Sequence, residues 1–168
     1  MAATTLHLAV QYATDLDVPA RAQVRRWVCA ALALTNRGRS SGDSIAGATL
    51  TIRFVDVDEA RALNRTFRGK DYATNVLTFP YESAHREIEA DLVICMPVLV
   101  AEARLQRKEV SAHCAHLVVH GTLHACGYDH EATTDADAME ELEREVLARL
   151  RIADPYALTG RSTQSAAV

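Results

Sequence analysis

The segment H-G-T-L-H-A-C-G-Y-D-H, His120 to His130, constrains the fold of this chain more than any other. His120 and His124 stand four residues apart, so on a helix they share one face and can meet one ion. Gly127 allows a sharp turn off the helix end, and that turn can carry His130 back toward the same ion. The spacing predicts a helix from about Ser111 to Cys126, stopped at Gly127 by a left-handed residue. Three neutral imidazoles leave the fourth corner of a tetrahedron to water, the open arrangement of catalytic rather than structural zinc. The expectation is one zinc ion per chain on His120, His124 and His130. Each imidazole also needs an acceptor for its second nitrogen, for which Asp129 and backbone carbonyls are candidates. His116 lies four residues before His120 and could extend the row. Three protein ligands suffice for an open site, so packing or hydrogen bonding is the favoured role for His116.

The histidine spacing equals that of the metzincin proteases, H-E-x-x-H-x-x-G-x-x-H. There the glutamate is the general base of peptide hydrolysis. Here that position is Gly121, so the geometry is kept without the protease's proton acceptor. A second segment, L-N-R-T-F-R-G-K-D-Y-A-T-N-V-L-T-F-P, runs from Leu63 to Pro80. Arg65, Arg68 and Lys70 concentrate positive charge around its glycine. The planar fork of arginine can hold two phosphate oxygens at once. Basic residues also suit a solvated helix end, where they meet the negative end of the dipole. Charge alone does not choose between the two.

The rest of the chain alternates between strand and helix periods. Thr5–Gln11 and Ala48–Val55 read as strands. Helices are predicted from Pro19 to about Thr35, from Val57 to Phe67 and from Pro97 to about Gln106. Asn75–Phe79 reads as a strand stopped by Pro80, Tyr81–Glu89 as a loop and Asp91–Cys95 as a strand. Thr134 and Asp137 resemble a capping box, with a last helix behind it through Met139, Leu142, Val146 and Leu150. The pattern is mixed α and β (α/β, α+β): a small sheet with four or five helices. A length of 168 residues suits one domain, expected over 1–159, with the small polar residues 160–168 as a flexible tail. No stretch approaches the roughly 20 apolar residues of a membrane span. Met1 to Val10 lacks the pattern of a secretory signal, so a cytoplasmic protein without a membrane partner is expected. Cys29, Cys95, Cys114 and Cys126 have no paired spacing and read as small buried hydrophobes. A net charge of -4 argues against indiscriminate coating of nucleic acid. The basic cluster from Arg61 to Lys70, set against the acidic run Glu131 to Glu145, leaves room for an anion-binding face.

Three stretches together, LNRTFRGKDYATNVLTFP (63–80), ADLVIC (90–95) and HLVVHGTLHACGYDH (116–130), resemble the YbeY family of bacterial endoribonucleases, the rRNA maturation factors. The resemblance extends through the terminal helix to Asp154-Pro155-Tyr156. It implies a zinc-dependent, single-strand-specific endoribonuclease acting in small-subunit rRNA 3′-end maturation and ribosome quality control. RNA, the small ribosomal subunit and its assembly factors are the implied partners. The resemblance carries His120, His124 and His130 onto the zinc and Arg68 onto the family's functional arginine, which makes Arg68 the candidate catalytic residue. Arg65 and Lys70 become candidate substrate contacts, with Asp129 and His116 behind the metal. It also implies a mixed sheet of about four strands, mostly parallel with one antiparallel strand, surrounded by about five helices. Ala73, Asn75 and Ala90 stand where the family usually has proline, aspartate and glycine. The alternatives are a zinc hydrolase of another, metalloprotease-like class and a non-catalytic assembly factor with structural zinc.

Overall fold

The alternating periods become, in chain order, β1 (Thr5–Ala13), α1 (Arg21–Arg37), β2 (Gly47–Val55), α2 (Val57–Arg68), β3 (Val76–Tyr81), β4 (Glu87–Cys95), α3 (Met96–Leu105), α4 (Val110–Ala125) and α5 (Thr133–Arg149). The computed structural model describes residues 3–129 and 131–157. The strands form one sheet in the order β1-β2-β4-β3. β1 and β4 each run parallel to β2, and β3 runs antiparallel to β4. The mixed, mostly parallel sheet with five helices is the architecture expected.

Alternation within the strands sorts the two faces of the sheet. Leu50, Ile52 and Phe54 of β2 stand in register with Ala90, Leu92 and Ile94 of β4, and all six are buried. Against them pack Val24, Trp27 and Val28 of α1, Val118 and Leu123 of α4, and Met139 and Val146 of α5. The opposite face carries a smaller cluster, Val55, Ala60, Leu77, Val93 and Cys95, partly from α2. Beyond that cluster Thr51, Arg53 and Asp91 are only half-buried. Leu92, Val93, Ile94 and Cys95 form a continuous apolar run because β4 is covered on both faces.

The close approach of α4 to the sheet depends on Gly121. A Cβ there would stand 2.6 Å from Leu92 Cδ2 and 3.3 Å from Thr78 Oγ1. The residue replacing the protease glutamate is therefore a packing requirement.

Several local expectations are corrected. Pro80 does not stop β3, which continues to Tyr81. β3 is an edge strand, and proline's missing N–H is tolerated where no ladder partner waits for it. β4 begins at Glu87, so the expected loop shortens to 82–86. α1 opens at Arg21 on Ala20, leaving Pro19 outside. The capping box does not form: Thr134 and Asp137 both lie inside α5, whose N-cap is Ala132. Cys29 is exposed on α1, whereas Cys95, Cys114 and Cys126 are buried, and all four are free thiols. The tail expected at 160–168 lies outside the described residues. No helix among the described residues is long and apolar enough to cross a membrane.

Candidate metal centre

α4 buries Leu117, Val118, Val119 and Leu123 in the core. His116, His120 and His124, four apart, are left half-buried along another side. The Nε2 atoms of His120 and His124 lie 3.1 Å apart. The helix ends at Ala125 with Cys126 as its cap, and Gly127 follows at φ 95, a left-handed turn that suits glycine. The turn brings the Tyr128 carbonyl to 2.8 Å from His124 Nδ1. His130, the third histidine of the motif, lies outside the described residues.

The second nitrogen of His120 meets a group from the far end of the chain. Its Nδ1 stands 2.5 Å from Glu143 Oε1, on α5. Glu143 Oε2 stands 2.9 Å from His116 Nε2 and accepts the Tyr156 hydroxyl. The Glu143 side chain is 1% exposed. Burial alone would raise its pKa, but hydrogen bonds from His116 and His120 outweigh that and hold it well below the usual carboxylate range. Burial, and then the hydrogen bond to Glu143, push the Tyr156 hydroxyl well above its ordinary value.

These partners fix the protons. A backbone carbonyl only accepts, so His124 carries its hydrogen on Nδ1. An ionised carboxylate also only accepts, so His120 does the same. Neutral rings then turn two Nε2 lone pairs toward each other, an arrangement relieved by a cation or a shared proton. Two imidazole nitrogens at about 2.0–2.1 Å from a tetrahedral zinc sit roughly 3.3 Å from each other. The observed 3.1 Å fits that geometry. His116, His120 and Glu143 also bring one donor atom each within 4.8 Å of one another, a set that can hold a metal ion. The two groupings use opposite nitrogens of the His120 ring. The Glu143 carboxylate is buried and already hydrogen-bonded to His116 and His120, whereas the Nε2 atoms of His120 and His124 face each other where both residues line a cleft. The donor set therefore fits a cation best on the Nε2 side.

That cleft, of about 540 Å³, is lined by His120, His124, Arg68, Asn75, Thr78 and Asp129, among others. Arg68 is the last residue of α2, ahead of Gly69 at φ 69. Buried Asn64 donates to the Tyr72 carbonyl at 2.8 Å and pins the loop that follows. Arg68 Nη2 donates to the Thr78 carbonyl at 2.9 Å, and its guanidinium lies 5.2 Å from the centre of the Phe79 ring. The structure thus brings Arg68 and Asp129 into one cleft with two of the histidines. Arg65 and Lys70 are exposed and lie outside its lining. Glu143 and Tyr156 were missed by sequence reasoning. The available signal was a carboxylate at Glu143 inside the apolar stripe Met139, Val146 and Leu147, where a charge needs a partner.

A mixed four-stranded α/β domain with a histidine cleft beside an arginine defines a class, small domains built around a histidine-bearing helix whose donors can hold a metal ion. The family model described as Endoribonuclease YbeY matches residues 11–151, and the chain belongs to the YbeY family. A relative from Bordetella pertussis, named Endoribonuclease YbeY, is 53% identical over 92% of this chain and 98% of its own. Another so named, from Alkalilimnicola ehrlichii, is 51% identical over 93% of this chain and 94% of its own. The solution structure of protein TM1509 from Thermotoga maritima shares the fold, with a TM-score of 0.56, 22% identity, and coverage of 90% of this chain and 98% of that one.

Proposed function

We propose that this protein is a cytoplasmic, zinc-dependent, single-strand-specific endoribonuclease of small-subunit rRNA 3′-end processing and ribosome quality control. Residues 1–159 would form its one hydrolase domain, working with the ribosome and its assembly factors. The relatives' name supports the reaction class. The observation that carries the reading is the pair of Nε2 atoms 3.1 Å apart in the cleft that Arg68 also lines. His120, His124 and His130 hold one zinc ion. Zinc supplies Lewis-acid polarisation of a phosphodiester oxygen and a nucleophile available near neutral pH. Glu143 and the Tyr128 carbonyl hold the two ligand rings in the tautomer that presents Nε2. Arg68 forks onto the phosphodiester and stabilises its developing charge, while Arg65 and Lys70 meet flanking phosphates outside the cleft. His116 backs Glu143, and Asp129 lines the approach to the ion. A metalloprotease reading lacks a base, since a side chain at position 121 would run into Leu92.

The test is cleavage of a single-stranded rRNA fragment by zinc-loaded protein. Arg68→Ala is expected to lose about 10²–10³ in rate while keeping its zinc and melting temperature. Arg68→Lys recovers part of the rate, because an ammonium lacks the planar two-point contact. An Arg68→Ala protein that cleaves at the parent rate overturns the role of Arg68.

A further inference from the structure

The sheet face turned away from α4 is only partly covered. α2 lies over Val55, Leu77, Val93 and Cys95, and beyond that cluster a groove of about 610 Å³ opens on the face. Phe67 of α2 and Tyr81 of β3 line it, 59% and 50% exposed. Phe79 and Tyr81 are two apart on β3 and so share a face. Phe67 and Phe79 meet edge to face with ring centres 5.2 Å apart.

Arg53 and Glu59 neutralise each other within the groove, and Asp91 is hydrogen-bonded. Arg53 Nε stands 2.6 Å from Glu59 Oε1, and the Tyr81 hydroxyl donates to Asp91 at 2.6 Å. The surface left to a ligand is therefore aromatic, with the Asp91 carboxylate offset by Arg68 at the groove's edge. The groove also adjoins the histidine cleft around the edge strand β3, since Arg68 and Pro80 line both. A ligand passing from one to the other meets a cation first and exposed rings next. That order suits a single nucleic-acid strand, with a phosphate at the arginine and a neighbouring base at the rings.

We infer that this groove is a nucleobase-stacking subsite, in which a base next to the phosphodiester held at Arg68 stacks on Phe67 or Tyr81. The inference rests on the RNA-cleaving reading above and adds a physical origin for strand preference. A base paired in a duplex already has both faces stacked, whereas an unpaired base can leave its strand for an aromatic ring. Such stacking tolerates any base, because every base has a π-face.

The test uses full-length, zinc-loaded protein and a short single-stranded oligoribonucleotide carrying 2-aminopurine at each position in turn. Parent protein is expected to quench the fluorescence strongly at one position beside the cleavage site. Phe67→Ala or Tyr81→Ala should abolish that quench and weaken binding by about 5- to 100-fold. Phe67→Tyr, which keeps a ring, should restore both, so a merely structural effect is separable. An abasic site at the quenched position should weaken parent binding by the same factor and leave Phe67→Ala binding unchanged. If the parent cleaves the strand but neither alanine variant nor the abasic site changes binding, the subsite is overturned and the cleavage reading stands. A parent that neither binds nor cleaves removes both and leaves the groove to a protein partner.

Discussion

Replacing Glu143 by glutamine tests how the histidine pair is held. Three donors converge on this carboxylate: His120 Nδ1, His116 Nε2 and the Tyr156 hydroxyl. A carboxylate offers acceptors only, whereas a glutamine amide offers one acceptor oxygen and one donor nitrogen of nearly the same shape. In the variant the NH₂ must face at least one of those donors in a site that is 1% exposed. Loss of the acceptor behind a metal-bound histidine weakens metal affinity by about 10- to 100-fold, or about 1.4–2.8 kcal/mol. An unsatisfied buried donor costs folding a further 1–3 kcal/mol, roughly. For a chain of this size that lowers the melting temperature by about 2–12 °C. Zinc affinity is read by competition with a chromophoric chelator, and stability by melting the metal-free protein. A Glu143→Gln protein with the parent's zinc affinity would refute the orienting role. A fall far beyond 100-fold would refute it in the other direction, making the carboxylate a ligand in the grouping with His116.

The histidine assignment predicts that His124→Ala falls from about one zinc per chain to near zero by metal analysis. Full zinc in that variant removes the assignment. Chelation should lower the melting temperature of the parent, since an ion at 100 times its dissociation constant contributes about 2.7 kcal/mol. Equal midpoints with and without chelator would contradict this. Gly121→Ala places a methyl group 2.6 Å from the Leu92 δ carbon, in a core where Leu92 is fully buried. Overpacking of about 1–3 kcal/mol exceeds the roughly 1 kcal/mol that alanine gains in a helix, so denaturant unfolding should show a net loss. A more stable Gly121→Ala protein would mean that α4 can move away from the sheet.

What could be read from the chain alone was whatever depended on neighbours in sequence. The helix carrying His120 and His124, and its stop at Gly127, follow from a spacing of four and a left-handed residue. The apolar run Leu92–Cys95 likewise marks a strand covered on both faces. The continuation of β3 through Pro80 depends on β3 being the edge of the sheet, which no local pattern around Pro80 reveals. Thr134 and Asp137 had the right spacing for a cap, but α5 starts two residues too early for it, with Ala132 rather than Thr134 at the N-cap. Glu143 is decisive only because α5 packs against α4, a tertiary contact 23 residues from its partner. Cys29 shows the limit of apolar neighbours as a guide, since it faces outward from a helix whose other side is core.

The position of that carboxylate has a consequence for the order of events during synthesis. Glu143 follows His120 by 23 residues, and the hydroxyl it accepts follows 13 residues later still. Domains begin to organise as they leave the ribosome. A nascent chain therefore presents its histidine helix before it possesses the anchor that sets the direction of those rings. Any chemistry that needs the oriented rings waits for α5 and Tyr156, and a product cut short after α4 would carry the histidines without the anchor. Under the RNA-cleaving reading proposed above, that order withholds a competent centre until α5 and Tyr156 have been made.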